Sequence, residues 1–158
     1  MSETKFSVSM CVYGKDNPAW FDEAVKSICN QTKRPSEVVL VVDGPVPNAL
    51  DEIIQKYENT NCFNVIRFSE NQGHGTARRA GLAACSNELV AIMDADDISV
   101  HDRFEKQIAA FEENADVSVV GGQINEFITD VGNIVGKRTV PEKDEQIKAY
   151  MKTRCPMN

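Results

Sequence analysis

Three aspartates follow an apolar run, and their spacing suits the binding of a divalent cation. The run Leu89–Met93 leads directly into Asp94, Asp96 and Asp97. Because side chains two residues apart in an extended chain point to the same side, Asp94 and Asp96 can face one ligand together. Mg²⁺ and Mn²⁺ bind carboxylate oxygens and keep coordination positions open for phosphate oxygens. The pattern therefore predicts a site for a metal-bound diphosphate.

A second interpretation of the same aspartates is the start of a helix. An acidic turn often precedes a helix, and Ser99 with Asp102 three residues later resembles a capping box. The two interpretations are compatible, with Ser99 as the helix cap and Asp96 as a metal ligand.

The glycine-containing segment Asn71–Gly81 follows a strand-like run and opens a helix-like one. Gly73 and Gly75 allow backbone amides to approach a ligand, and Arg78 offers a planar pair of donors to a phosphate or a base. The segment is neither a Walker loop nor a dinucleotide-binding fingerprint. Arginine on a solvated helix face is the alternative. His74 has no partner at metal-ligand spacing, and we assign it no chemistry.

Asp43 directly follows the continuously apolar run Val38–Val42, a pattern typical of a central strand covered on both faces. In open α/β sheets, ligands bind outside the carboxyl ends of the strands. Asp43 can accept a hydrogen bond from a base imide, which would favour uracil or thymine. The alternative is a turn in which Asp43 introduces Gly44.

Short apolar runs alternate with segments of helical period, which predicts an α/β fold with a mostly parallel sheet and helices on both faces. The predicted strands are Phe6–Tyr13, Val38–Val42, Phe63–Phe68 and Leu89–Met93. The predicted crossover helices are Ala19–Cys29, Asn48–Tyr57 and Thr76–Ala84.

The last third of the chain predicts a mixture of elements. We expect, in order, a helix, a further strand, a small β-hairpin and a terminal helix. The corresponding ranges are His101–Phe111, Val117–Val120, Gln123–Ile128 with Asn133–Thr139, and Glu142–Met151.

The composition predicts one globular domain over residues 1–158, large enough to bury roughly two thirds of its unfolded surface. A net charge of −7 lacks the basic excess that nucleic acids select. No apolar run approaches the roughly 18 residues of a membrane span, and no secretory signal begins the chain. The cysteines are five in number without a C-x-x-C pair, so we expect reduced thiols and a cytoplasmic location.

Taken in order, these motifs resemble those of the family 2 glycosyltransferases, over about residues 6–125. The first strand ends in a tyrosine-containing turn, the first helix ends in Gln-Thr, and an Asn-x-Gly segment leads to Ala-Arg. The matching segments are Val8–Tyr13, Ala24–Thr32, Val41–Gly44, Asn71–Arg78 and Asp94–Phe104.

The resemblance implies a GT-A fold and a donor site at the ends of its strands. The residues implied to bind the nucleotide sugar are Val12, Tyr13, Asp43, Arg78, Asp94 and Ala95. Val12 and Tyr13 would contribute to the base pocket and Asp43 would contact the base. Asp96 would ligate Mn²⁺ or Mg²⁺, while Asp94 would touch the ribose or share the metal.

The resemblance also implies a reaction, the inverting transfer of a sugar from a donor, expected to be UDP-linked, to a hydroxyl of a glycan or glycolipid. The general base of such enzymes lies downstream of the matched region, so we expect it beyond Asn158, the last residue of the sequence. Residues 1–158 are accordingly expected to be an inactive part of a longer transferase. Relatives that build surface polysaccharides work at the inner face of the membrane, which is compatible with peripheral membrane association of a full-length protein.

Two other functions remain open from the residues alone. A sugar nucleotidyltransferase would carry a glycine-rich basic loop after the first strand, whereas Tyr13–Asn17 contains one glycine and one lysine. A non-catalytic nucleotide-binding or assembly module would use the acidic residues only as a helix cap. A phosphate-receiver domain fits less well, because its acidic pair would lie near the first strand.

Overall fold

The computed structural model describes residues 4–157, with six strands and five helices. The strands are β1 (Phe6–Tyr13), β2 (Glu37–Asp43), β3 (Phe63–Arg67), β4 (Leu89–Met93), β5 (Ile124–Phe127) and β6 (Ile134–Arg138). The helices are α1 (Pro18–Cys29), α2 (Asn48–Glu58), α3 (His74–Ala84), α4 (Arg103–Glu113) and α5 (Asp144–Tyr150).

The first four strands form one parallel sheet in the order β3-β2-β1-β4. The chain builds outward from β1 to β3 and then returns to place β4 on the other side of β1. In the register, Tyr13 lies beside Asp43, and Met10 lies beside Met93. The carboxyl ends of β1, β2 and β4 therefore meet at the point where the strand order reverses, which is where open α/β sheets bind ligands.

Helices cover both faces of this sheet. On one face, α3 approaches closely at Gly81, where a Cβ would lie 2.6 Å from Ser9 Oγ and 3.3 Å from Val41 Cγ2. Successive side chains of β1 alternate between faces, so Phe6 lies on the other face. There its ring meets Phe104, with ring centroids 5.1 Å apart. The predicted α/β fold with a mostly parallel sheet is confirmed.

The start of α1 follows directly from its sequence. Asn17 Oδ1 accepts hydrogen bonds from the backbone N–H of Ala19 and of Trp20, at 2.9 Å and 3.3 Å. Pro18 occupies the first helical position, where a missing N–H costs nothing. Phe21 is fully buried on the inner side of α1.

Two predictions in the second half of the chain need correction. Val117–Val120 is not a strand in the described structure, because these residues pair with no neighbouring strand. The helix predicted from His101 begins at Arg103. The predicted hairpin is confirmed as β5 and β6, which pair antiparallel, and the predicted terminal helix as α5.

The described part of the chain divides into two compact units, residues 4–106 and residues 107–157. The parallel sheet belongs to the first unit and the hairpin to the second. Within residues 4–157, every helix is too short or too polar to cross a lipid bilayer. Asn158 lies outside the described residues, so the general base expected beyond Asn158 stays a prediction that this structure does not test.

Candidate functional site

A cleft of about 370 Å³ opens at the carboxyl ends of β1, β2 and β4, within the first unit. It lies at the reversal of strand order described above. Its walls come from four consecutive β–α connections, which explains why its residues are far apart in sequence. The lining residues are Cys11, Val12, Tyr13, Asp16, Asp43, Asn71, Gly73, His74, Ala77, Asp94, Ala95 and Asp96.

The end of β1 forms one wall and is held by a tight turn. Val12 is buried, whereas Tyr13 is 41% exposed and free to meet a ligand. The Tyr13 N–H donates to Asp16 Oδ2 at 2.9 Å, and the Asp16 N–H donates to the Tyr13 carbonyl at 3.1 Å. Asp16 thereby turns its carboxylate into the same cleft.

Asp16 was not singled out from the sequence, and only the fold brings it near Asp96. Burial raises the pKa of Asp16, the negative charge of Asp96 raises it further, and the hydrogen bond from Tyr13 opposes both. Carboxylate oxygens that line one cleft are ligands that a hard divalent cation prefers. The position of Asp16, three residues beyond a strand end, was the available signal.

Asp43, at the end of β2, is 4% exposed and organises the opposite wall. Its Oδ1 accepts from the Gln72 N–H at 2.7 Å and its Oδ2 from the Gly73 N–H at 3.0 Å. The Asp43 carboxylate therefore does not form the alternative turn with Gly44. It instead binds backbone amides that lie 29 and 30 residues further along the chain. Each carboxylate oxygen has a further lone pair available for a ligand.

The connection after Asp43 requires glycine. Gly44 has φ of +86°, and a Cβ there would lie 2.5 Å from the Asn71 backbone nitrogen. The Asn71 side-chain amide also donates to the Asp43 carbonyl at 3.1 Å. The backbone after β2 and the backbone before α3 thus cross in contact, which fixes one side of the cleft.

Arg78 joins α3 to the residues after β4. Its Nε donates to His74 Nε2 at 3.1 Å, and its Nη2 forms an ion pair with Asp94 Oδ1 at 2.5 Å. Arg78 itself does not line the cleft, but both of its partners do. His74, to which the sequence assigned no chemistry, is therefore a cleft residue that orients the guanidinium.

We define the acidic loop as residues 94–102. Asp94, Ala95 and Asp96 line the cleft, and Asp96 is exposed. The Ser99 hydroxyl, predicted as a helix cap, instead donates to Met93 Sδ at 3.3 Å and accepts from Arg103 Nη1 at 3.0 Å. Since α4 begins only at Arg103, the capping interpretation of Ser99 is wrong.

Across residues 4–157, no three His, Cys, Asp or Glu side chains converge to enclose a metal ion. The cleft nevertheless fits a hard divalent cation, because Asp94 and Asp96 offer carboxylate oxygens on the same opening. Mg²⁺ in phosphate sites is commonly held by one or two carboxylates, with water and phosphate oxygens completing its shell.

Cys11 lies on the floor of the cleft, and burial raises the pKa of its thiol. A thiol held in its protonated form is a poor nucleophile. All five cysteines are free, as the sequence predicted.

The sequence matches the model of Glycosyl transferase family 2 over residues 7–155. An uncharacterized glycosyltransferase of Haemophilus influenzae is 40% identical over 98% of this chain and 58% of its own length. The UDP-Gal:alpha-D-GlcNAc-diphosphoundecaprenol beta-1,3-galactosyltransferase of Escherichia coli is 34% identical over 98% of this chain and 56% of its own length. This chain thus spans little more than half the length of these relatives.

Among solved structures, residues 1–349 of S. aureus TarS in complex with UDP-GlcNAc are similar with a TM-score of 0.60 and 27% identity. The similarity covers 70% of this chain and 32% of that chain. The GT-A fold expected from the sequence motifs is therefore confirmed.

Proposed function

This chain belongs to glycosyl transferase family 2, and we propose that its cleft binds a UDP-sugar together with Mn²⁺ or Mg²⁺. The bound UDP-sugar would be the donor from which the sugar is transferred, with inversion, to a hydroxyl of the acceptor. The observation that carries the proposal is the assembly of hydrophobic, acidic and aromatic residues at one strand-order reversal. Val12, Tyr13, Asp43 and Asp96 come from three strand ends and line one cleft.

The arrangement of charge in the cleft supports binding of a diphosphate together with a cation, rather than binding of an anion alone. Asp94 and Asp96 would hold the cation, which supplies Lewis-acid polarisation of the phosphate oxygens when bound. Arg78 would contribute positive charge at the edge of the cleft, exchanging part of its pairing with Asp94 for a phosphate oxygen. The net charge of the chain, −7, makes these local cations necessary.

The base would lie against the end of β1. The exposed Tyr13 ring offers an apolar face for stacking, and Asp43 is fixed by two backbone amides with lone pairs to spare. A fixed carboxylate selects a base that presents an N–H, as uracil does. The E. coli relative takes UDP-Gal and the TarS structure contains UDP-GlcNAc, which agrees with a uracil base.

In the proposed reaction, the acceptor oxygen forms a bond to C1 of the sugar while the bond from C1 to the diphosphate oxygen breaks. UDP leaves with that electron pair, and the acceptor proton passes to a carboxylate base. We propose that this base lies beyond Asn158. The name of the E. coli relative supports an undecaprenol-linked glycolipid as the class of acceptor.

The test is isothermal titration of UDP into the 158-residue protein with Mn²⁺ and again with EDTA. We expect binding that depends on the metal, and an affinity at least about tenfold weaker in Asp96→Ala, equivalent to about 1.4 kcal/mol. Asp116→Ala is the matched control, because Asp116 is also an exposed aspartate in a turn but lies outside the cleft.

Two outcomes would contradict the proposal. Equal UDP affinity of Asp96→Ala and the wild-type protein in saturating Mn²⁺ would remove Asp96 from the metal site. Absence of UDP binding with or without metal would favour the non-catalytic assembly module that the sequence left open.

A further inference from the structure

The acidic loop is hydrogen-bonded to α1 and to the residues that follow it, through two side chains and one backbone amide. Three consecutive loop residues are bound in this way. The Ser99 N–H donates to Ser27 Oγ at 3.0 Å, the Val100 carbonyl accepts from Gln31 Nε2 at 2.8 Å, and the His101 carbonyl accepts from the Thr32 N–H at 3.0 Å.

Gln31 is the centre of this attachment and is 3% exposed. Its Nε2 also donates to the Ser27 carbonyl at 2.9 Å, and its Oε1 accepts from the Phe104 N–H at 3.1 Å. One buried amide therefore ties the end of α1 to the loop and to the first turn of α4. The contact to Val100 spans 69 residues of sequence.

Ser27 completes the attachment one helical turn earlier. Its hydroxyl donates to the Ala24 carbonyl at 2.7 Å and accepts from Ser99. The other side of Ser99 is held by Arg103, whose Nη2 also donates to the Ile92 carbonyl at 2.9 Å. The far end of the acidic loop is thus fixed in position, while Asp94 and Asp96 face the open cleft.

We propose that Gln31 and Ser27 are positioning residues that preorganise the acidic loop for the metal-diphosphate, an inference that rests on the donor-binding function proposed above. Divalent cations such as Mg²⁺ demand near-ideal ligand geometry. Carboxylates on a loop that is already fixed lose less conformational entropy when they bind one. The attachment does not touch the ligand and acts only through the loop.

The chemistry of Gln31 explains why glutamine is suited to this place. Its amide donates to two carbonyl oxygens and accepts from one N–H. Glutamate of the same shape has no Nε2 hydrogens, so both carbonyls would face a carboxylate oxygen and lose their donor. Gln31→Glu therefore removes the two bonds that hold the loop and the helix end while changing the volume little.

The experiment compares Gln31→Glu and Ser27→Ala with Tyr57→Phe. Tyr57 is buried and its hydroxyl donates to Asp22 at 2.6 Å, so its loss lowers stability at a place outside the cleft. Urea unfolding measures the stability of each variant. Titration of Mn²⁺ at fixed UDP gives the Mn²⁺ concentration for half-maximal UDP binding, and hydrogen exchange of residues 94–102 without metal or nucleotide reports on the loop itself.

We expect Gln31→Glu and Ser27→Ala to need about tenfold more Mn²⁺ than the wild-type protein for half-maximal UDP binding. Hydrogen exchange of residues 94–102 should also be faster in both variants. Tyr57→Phe should change neither quantity at a comparable loss of stability. If Gln31→Glu does not fold, Ser27→Ala decides alone, since it removes only the hydroxyl that accepts from Ser99 and donates to the Ala24 carbonyl. The inference would be overturned if Gln31→Glu and Ser27→Ala had the same Mn²⁺ requirement as Tyr57→Phe and the same hydrogen exchange of residues 94–102. Failure of the wild-type protein to bind UDP with Mn²⁺ would instead overturn the proposed function.

Discussion

Single residues of the cleft do two things at once, and Asp43 is the clearest example. Its carboxylate accepts hydrogen bonds from the backbone amides of Gln72 and Gly73, and these bonds fix the position at which α3 begins. The same carboxylate faces the cleft in which we propose that the base binds. A change beside Asp43 should therefore affect stability and binding together.

Gly44→Ala is predicted to lower the free energy of unfolding by about 2 kcal/mol or more. The residue has φ of +86°, and the new Cβ would lie 2.5 Å from the Asn71 nitrogen and 2.9 Å from the Glu70 carbonyl carbon. Because backbone atoms cannot yield as a side chain does, the contact between Asp43 and Gln72 should be strained as well. Urea unfolding and UDP titration measure the two effects.

Gly75→Ala is the control for this substitution. Apart from its chain neighbours and the nearby backbone of its own helix, no atom lies within 4 Å of a Cβ built on Gly75, which is in the first turn of α3. We expect its stability to be unchanged or to rise by up to about 1 kcal/mol, as alanine favours helix. If Gly44→Ala and Gly75→Ala lowered the free energy of unfolding equally, the close crossing of the backbone after β2 and the backbone before α3 would not be the reason for glycine at position 44.

At the scale of elements, α1 and α2 are joined through one carboxylate. Asp22 on α1 accepts from the Tyr57 hydroxyl at 2.6 Å and pairs with Lys26 at 2.5 Å and with Lys56 at 3.3 Å. Hydrogen bonds from Lys26 and Tyr57 lower the pKa of Asp22 from 3.8 to about 2. Burial and the Asp22 charge raise the pKa of Tyr57.

Stability of the protein should fall in acid partly through Asp22. Its folded pKa lies below the unfolded value of 3.8, so its contribution is present above that value and is lost as pH falls through about 2. At about pH 6 we expect the free energy of unfolding of the wild-type protein to exceed that of Asp22→Asn by on the order of 1 kcal/mol. The difference is this small because solvent screens the pairs of Asp22 with the two lysines. The difference should decrease as pH falls through about 2 and disappear below it.

Urea unfolding of both proteins across this pH range measures the effect. Asparagine keeps an acceptor for Tyr57 but does not titrate, which makes the substitution a test of the charge alone. A stability difference that is independent of pH would mean that the hydrogen bond, and not the carboxylate charge, joins the two helices.

At the scale of the whole molecule, the two units differ in how their strands are buried. Almost every residue of β1 and β2 is buried, whereas β5 and β6 contain only exposed and half-buried residues. An isolated two-stranded hairpin is marginally stable in water, while central strands open only with the whole sheet.

Hydrogen exchange of the 158-residue protein should therefore be slowest in β1 and β2 and fastest among strands in β5 and β6. Mass spectrometry of peptides that cover residues 6–13, 37–43 and 124–138 provides the comparison. Protection of the hairpin equal to that of β1 would contradict the prediction, and would indicate that both units open together.

Much of the fold was predictable because the local signals are strong. The bounds of β1 and β4 are those predicted, since apolar runs of these lengths between turn-forming residues have few other interpretations. The prediction failed at Val117–Val120, where β-branched residues meet no partner strand among those described. Strand propensity reflects the neighbours that a strand finds, and a sequence run does not identify them.

The sequence by itself determined the order of elements and the acidic strand end, because hydrophobic period and motif spacing are local properties of the chain. Only the tertiary structure decided that Asp16 approaches Asp96, that Arg78 pairs with Asp94, and that Gln31 holds the acidic loop. The first two contacts follow from the strand order β3-β2-β1-β4, which brings the loops after separate strands together at the carboxyl ends of the sheet. Their geometry depends on packing across the sheet, a property that no single segment contains.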